Sequence, residues 1–283
     1  MSDETVTRFA PSPTGLLHLG HAFSALFAAR NGDRLLLRME DIDGGRCRAE
    51  FEDAIHEDLN WLGLEWEQPV RRQSEHMDDY SAALGQLDGI GLLYPCFCTR
   101  KEIATEIAAA AHAPHPNDGP DGPLYPGICQ NLSADERTQR KDNGEAFALR
   151  LNMKKALTQI TAPLHWHDRE AGKTTATPEI FGDVVLARKD TPTSYHLAVT
   201  VDDALQGVTL VTRGLDLMPS SHVHRLLQEL LGLPTPKYHH HRLLTSDAGQ
   251  RLAKRDKSLT LRALRQAGKS PDEVRKMAGI DSP

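Results

Sequence analysis

The sequence has no long apolar run. Its longest near-apolar stretch, Ala22 to Ala29, falls far short of the roughly 20 residues that a membrane-spanning helix needs. It opens on Met1 and three polar residues, with no basic segment leading into an apolar one. No secretory leader is therefore expected, and the expected compartment is the cytoplasm. Cysteine is scarce: four in 283 residues cannot staple a chain of this size, so a disulfide scaffold is excluded. Internal repeats are also missing. What is there is an ordinary globular mixture, 39% apolar and 25% charged, which excludes collagen, coiled coil and whole-chain disorder. The length suggests about two domains.

Net charge is −6, which at first argues against a nucleic-acid partner, but the charge is uneven. Lys237 to Lys276 holds eleven Lys/Arg against four Asp/Glu, while residues 1 to 236 carry −12. A basic end on an acidic body is expected of a local phosphate-contact surface, or else of a solvated helical face. Arg262 and Arg265 are its candidate contacts.

Thr5 to Ala10 reads as a strand that Pro11-Ser12-Pro13-Thr14-Gly15 cannot continue. A helix is expected from Leu19, closed by Gly32, and a buried strand at Arg34 to Met39. Strand, Gly/Pro loop, helix and strand make a βαβ unit and hence a parallel sheet. Further helices are expected at Ala49 to Leu62, after Ser74, and at Ser221 to Leu231. Strands are expected at Phe147 to Leu151, Asp183 to Ala187, Ser194 to Val201 and Val208 to Thr212. Helices at Ser258 to Ala267 and Pro271 to Ala278 close the basic end. Cys96 to Cys129 reads as an inserted region.

The loop after the first strand sits where open α/β sheets bind ligands. The following helix start offers N–H groups and a partial positive charge to phosphates. Gly20 allows close backbone approach. His18 and His21, three apart, can both face such a ligand as donors, or can merely cap the helix. Lys257 is a flexible point charge suited to phosphates. An amino-acid substrate needs an acid for its ammonium and cations for its carboxylates: Glu40 fits the first, and Arg8 and Arg213 the second. Tyr195 and Ser12 offer hydroxyl groups.

The ordered set Arg8 to Gly15, His18-Leu19-Gly20-His21, Arg38 to Asp43, Tyr195 to Asp203 with Val211 to Gly214, and Lys254-Arg255-Asp256-Lys257-Ser258 resembles the glutamyl branch of the class I aminoacyl-tRNA synthetases. The second segment is similar to the family's H-I-G-H motif and the last to its K-M-S-K-S motif, with Arg255 and Asp256 departing from it. The resemblance implies an α/β fold: a Rossmann-type parallel-sheet nucleotide-binding catalytic domain with an inserted zinc-containing subdomain and a short helical C-terminal segment. The expected divisions are 1–95 and 181–236 for the catalytic halves, 96–180 for the insert and 237–283 for the basic end. It further implies an ATP site at His18, Gly20, His21, Lys254, Lys257 and Ser258. His18, His21 and Lys257 are its catalytic groups, and Mg2+ accompanies the nucleotide. The implied glutamate pocket is Arg8, Ala10, Ser12, Glu40, Tyr195 and Arg213.

Cys96 and Cys98 form a C-x-C pair that can hold zinc, with Cys129 as a third sulfur. Tyr125, His112 and His115 are open as the fourth ligand; the family resemblance implies Tyr125. Cys47 stands apart. His239-His240-His241 and His165-Trp166-His167 are assigned to surface or packing roles, since a strand alternates faces and no acidic or thiol partner lies close in sequence.

Only 25 residues follow Ser258, too few for a further anticodon-reading domain. That resembles the truncated branch of the family, which activates L-glutamate with ATP without tRNA and transfers it to queuosine at the wobble position of tRNA(Asp). The expected partners are that tRNA, glutamate and ATP, with no membrane, acting as a monomer. The alternatives are an ordinary glutamyl-tRNA synthetase core, or a non-catalytic tRNA- or amino-acid-binding paralogue.

Overall fold

The computed structural model describes residues 4–110, 118–244 and 260–280. Its strands are β1 Val6–Phe9, β2 Arg34–Met39, β3 Glu67–Arg72, β4 Leu93–Cys96, β5 Asp118–Gly119, β6 Gly122–Pro123, β7 Ala148–Leu151, β8 His165–Asp168, β9 Gly172–Thr175, β10 Val185–Ala187, β11 Leu210–Gly214 and β12 Lys237–His241. The helices are α1 Leu19–Asn31, α2 Ala49–Trp61, α3 Met77–Gly89, α4 Arg100–Ala110, α5 Ala134–Asp142, α6 Met153–Thr158, α7 Tyr195–Leu205, α8 Ser220–Leu231, α9 Leu261–Gln266 and α10 Pro271–Ala278. No helix among the described residues is long and apolar enough to cross a membrane.

The first half-sheet is parallel, in the order β1-β2-β3. The second runs β11-β12-β8-β9, parallel except for the β8-β9 hairpin. The halves meet at β1 and β11: Thr209 N donates to Val6 O at 3.0 Å, and Arg8 Nη1 donates to Thr212 O at 3.0 Å. A separate antiparallel sheet, β4-β7-β10, belongs to neither half.

Gly32 ends α1 in an extended conformation, φ −126°, rather than a left-handed cap. It is glycine for space, since a Cβ there would lie 2.5 Å from Thr7 Oγ1. Gly232 closes α8 at φ 66°, the left-handed cap that glycine favours.

The strand expected at Ser194 to Val201 is instead the start of α7. Ser194 caps it, and every residue from Leu197 to Asp203 is buried. A helix covered on all sides shows no 3.6-residue apolar period, so Val199-Thr200-Val201 reads like a buried strand.

One core gathers α3, α7 and α8 around the β4-β7-β10 sheet. Another packs α1 and α2 on the first half-sheet and takes in Leu261, Leu264, Val274, Ala278 and Ile280. The described C-terminal residues thus pack into the body that carries the first half-sheet. Arg265 pairs with Glu57 at 2.9 Å and Asp58 at 3.5 Å. Arg275 donates to Leu62 O, and Lys269 pairs with Glu273, each at 2.7 Å. Arg265 thus has acidic partners on α2, whereas Arg262 makes no ion pair among the described residues.

Candidate active site

The loop between β1 and α1 is pinned to the exit of β2: Glu40 N donates to Pro11 O and Arg48 N to Pro13 O, both at 3.0 Å. His18 caps α1, its Nδ1 accepting from Gly20 N at 3.0 Å, while His21 Nδ1 accepts from His18 N at 3.2 Å. The rings stack with centroids 3.8 Å apart. With Nδ1 accepting in both, the neutral imidazoles carry their proton on Nε2. The two histidines therefore cap the helix and line the adjoining cavity. A Cβ on Gly20 would come within 3.0 Å of the His18 ring, so the glycine serves the cap as well as any ligand.

That cavity, of about 570 Å3, is walled by Arg8, Ala10, Ser12, His18, Gly20, His21, Glu40, Tyr195 and Arg213. Nine residues from four separate stretches of sequence thus converge at the carboxyl ends of β1, β2 and β11. The volume lies within the usual range for small-molecule sites. Lys254, Lys257, Ser258, Arg255 and Asp256 lie outside the described residues. Leu244 lines the cavity, and Thr260 pairs with His18 in an isolated β-bridge.

The pocket's charges are arranged unequally. Arg8, 5% exposed, donates from Nε to Asp203 Oδ1 at 3.0 Å. The same oxygen accepts from the fully buried Arg38 at 2.8 Å. Both guanidiniums hold the Asp203 carboxyl below its ordinary range despite burial. The neighbouring Asp202 accepts from Gln73, Arg71 and Tyr80, so the end of α7 locks onto the first half-sheet. Burial pushes Glu40 up to about 7, against the pull of Arg38 and Arg8. Arg213, also 5% exposed, makes no ion pair with a carboxylate among the described residues: its partners there are His240, His224, Ser221 and Tyr195.

The sequence reading missed Asp203, Ser221, His224 and His240. Strand alternation was the available signal for His240. Along β12, His239 and His241 turn toward Phe27 of α1, and His240 turns toward Arg213. Acidic partners for these histidines come from elsewhere in the chain: Asp168 for His240 at 2.8 Å and Glu170 for His239 at 3.2 Å.

The thiols of Cys96, Cys98 and Cys129 lie within 4.8 Å of one another, the one cluster of three metal-ligating groups among the described residues. Tyr125 OH sits 3.4 Å from Cys98 Sγ and accepts from Cys129 N at 2.8 Å. Three convergent sulfurs with one oxygen beside them fit a tetrahedral zinc donor set. His112 and His115 lie outside the described residues. Cys47 is remote, on the loop before α2.

Residues 4–278 match the family model of class I tRNA synthetases (E and Q), catalytic domain. The chain belongs to this family. It is a class I synthetase catalytic fold and a ligase of the aminoacyl-tRNA synthetase type. Among related chains, a glutamyl-Q tRNA(Asp) synthetase from Rhodobacter capsulatus is 47% identical over 97% of this chain and 100% of that protein. One from Nocardia farcinica is 45% identical over 94% and 81%. A solved glutamate tRNA ligase from Elizabethkingia meningosepticum, in complex with its amino acid, matches with a TM-score of 0.74 and 29% identity. That match covers 90% of this class I synthetase chain and 52% of the solved one, so the chain spans about half the ligase's length.

Proposed function

We propose that the protein activates L-glutamate with ATP to glutamyl-adenylate, without tRNA in that step, and transfers the glutamyl group to queuosine at the wobble position of tRNA(Asp). The observation that carries this reading is the 47% identity along the full length of a relative named for that reaction. The pocket supports it, because its lining brings the Glu40 carboxylate together with the two buried guanidiniums of Arg8 and Arg213, and Asp216 and Arg242 also line it. In the first step the glutamate α-carboxylate attacks the α-phosphorus of ATP and pyrophosphate leaves with Mg2+. In the second a queuosine hydroxyl attacks the activated carbonyl and AMP leaves.

Glu40 takes the substrate ammonium. The α-carboxylate loses its charge on activation, whereas the side-chain carboxylate keeps its own throughout. Arg213, which makes no carboxylate ion pair among the described residues, suits the carboxylate that stays ionised; Arg8, Ala10, Ser12 and Tyr195 complete the pocket. His18, Gly20 and His21 take the phosphates, where positioning and electrostatic stabilisation supply most of the catalysis. Lys254, Lys257 and Ser258 are assigned to the same phosphates from the family motif, and the place of Leu244 and Thr260 at the site supports this. Cys96, Cys98, Tyr125 and Cys129 are proposed to hold a structural Zn2+, which would tie the end of β4 to the insert. Metal analysis of the purified protein should find one zinc per chain, lost in Cys98→Ser; a metal-free, equally stable protein would refute that assignment. The protein is proposed to work in the cytoplasm as a monomer.

The deciding experiment offers labelled glutamate and ATP with tRNA from cells that make queuosine and from cells that cannot. Labelling of the queuosine-containing pool alone, mapped to tRNA(Asp), is expected. Equal labelling of both pools would mean ordinary charging. No labelling together with no glutamate-dependent ATP–pyrophosphate exchange would mean a binding paralogue.

A further inference from the structure

Arg213 is held by a set of acceptors whose protonation the geometry dictates. Its Nε–H points at His240 Nε2 at 3.1 Å, one Nη1–H at His224 Nδ1 at 3.1 Å, and an Nη2–H at Ser221 Oγ at 2.6 Å. A guanidinium has five N–H donors, no acceptor, and does not deprotonate. Each imidazole nitrogen facing it must therefore present a lone pair. His240 then carries its proton on Nδ1, directed at Asp168 Oδ2 at 2.8 Å. His224 carries its proton on Nε2, directed at His196 Nδ1 at 3.2 Å. His196 in turn presents Nε2–H to Asp121 Oδ2 at 3.2 Å, on the turn between β5 and β6. Two hydrogen-bonded chains thus start at Arg213, each passing through neutral imidazole and each ending on a carboxylate. Burial and the adjacent guanidinium lower His240 to about 4 and His224 well below its ordinary range, which agrees with both rings being neutral.

We infer that His224 and His240 are positioning residues for the glutamate pocket: their tautomers, fixed by the His196–Asp121 pair and by Asp168, aim the Arg213 guanidinium without themselves neutralising its charge. A carboxylate in either place would orient the arginine but cancel the charge meant for the substrate. A water would leave the charge but not the aim, since a mobile partner fixes no direction. Neutral imidazole does both, and the distal carboxylates keep the correct nitrogen unprotonated. This inference rests on the proposed glutamate pocket.

The test is steady-state ATP–pyrophosphate exchange with the full-length protein, varying glutamate and ATP separately. His224→Leu keeps bulk and removes the acceptor; it should raise the glutamate KM at least tenfold and leave the ATP KM within threefold. His224→Asn places an amide oxygen where Nδ1 stands and should bring the glutamate KM back to within threefold of the parent. If the leucine and asparagine variants behave alike, or if both KM values rise together, the role is structural and the inference fails. Arg213→Ala is run beside them. If it leaves the glutamate KM unaltered, the pocket reading itself is wrong. If it is impaired while His224→Leu is not, only the positioning role falls. Thermal unfolding of each variant checks folding. Should His224→Leu not fold, His240→Phe and His240→Gln repeat the comparison with the same expected and overturning results, because a glutamine oxygen reaches the position of Nε2.

Discussion

The two walls of the pocket treat a buried arginine in opposite ways. On the β1 wall, Arg8 is answered by the Asp203 carboxylate, which Arg38 shares. On the β11 wall, the partners of Arg213 among the described residues are imidazole, hydroxyl and phenol groups. A buried ion pair with a carboxylate is a joint: here it fastens α7 to β1 and β2 across the seam between the half-sheets. On the proposed reading, a buried cation with neutral partners is a binding tool, because its charge is left for something that arrives later. Exposure does not distinguish them, as both are 5% exposed; only the charge of the partners does.

Breaking the joint should have the largest effect. Asp203→Ala leaves Arg8 with no ion pair among the described residues and Arg38 with only more distant carboxylates, Asp202 at 3.6 Å and Glu40 at 3.9 Å, and should cost about 3–5 kcal/mol of stability, read from urea unfolding. A loss below 1 kcal/mol would mean that the seam is held otherwise. Turning the tool into a joint comes next. Ser221→Asp sets a carboxylate against Arg213 and should lower kcat/KM for glutamate by about 100-fold, the size of a lost charge-assisted hydrogen bond. Its KM for ATP should hold, and equal losses for both substrates would count against the contrast. The smallest effect concerns Glu40, the acid between the walls. Burial raises it to about 7, so below that pH it protonates and loses its attraction for the ammonium. The kcat/KM for glutamate should fall about tenfold per pH unit on the acid side, as expected for a required base in the free enzyme. A profile flat from pH 8 to 5.5 would remove Glu40 from that role.

Much of this pocket was legible in the sequence because each motif lies at the end of an element whose periodicity is plain. Arg34 to Met39 is a strand with the bounds expected of it, and Arg8 and Glu40 follow from β1 and β2. The ordered motifs carried the family as well. What escaped notice came from contacts between distant positions. Asp203 gains its meaning from Arg8, nearly two hundred residues earlier, and His240 from Asp168 across a parallel ladder. Charge counting could not show that α9 sets Arg265 against Glu57 and Asp58 on α2, for the same reason. The α7 misreading was local. A helix buried on every face lacks the polar stripe by which helices are recognised.

The apolar core around α1 is closed by Leu261, Val274 and Ile280. Partners such as Leu19 and Val274 are separated by roughly 250 positions, and closure over such a span makes for slow folding. On the ribosome, β1, β2 and α2 would cover much of α1 early, while the part of its face that meets α10 would stay unshielded through most of synthesis. The cavity at the start of α1 would mature late, and an unfinished chain would be a natural client for chaperones.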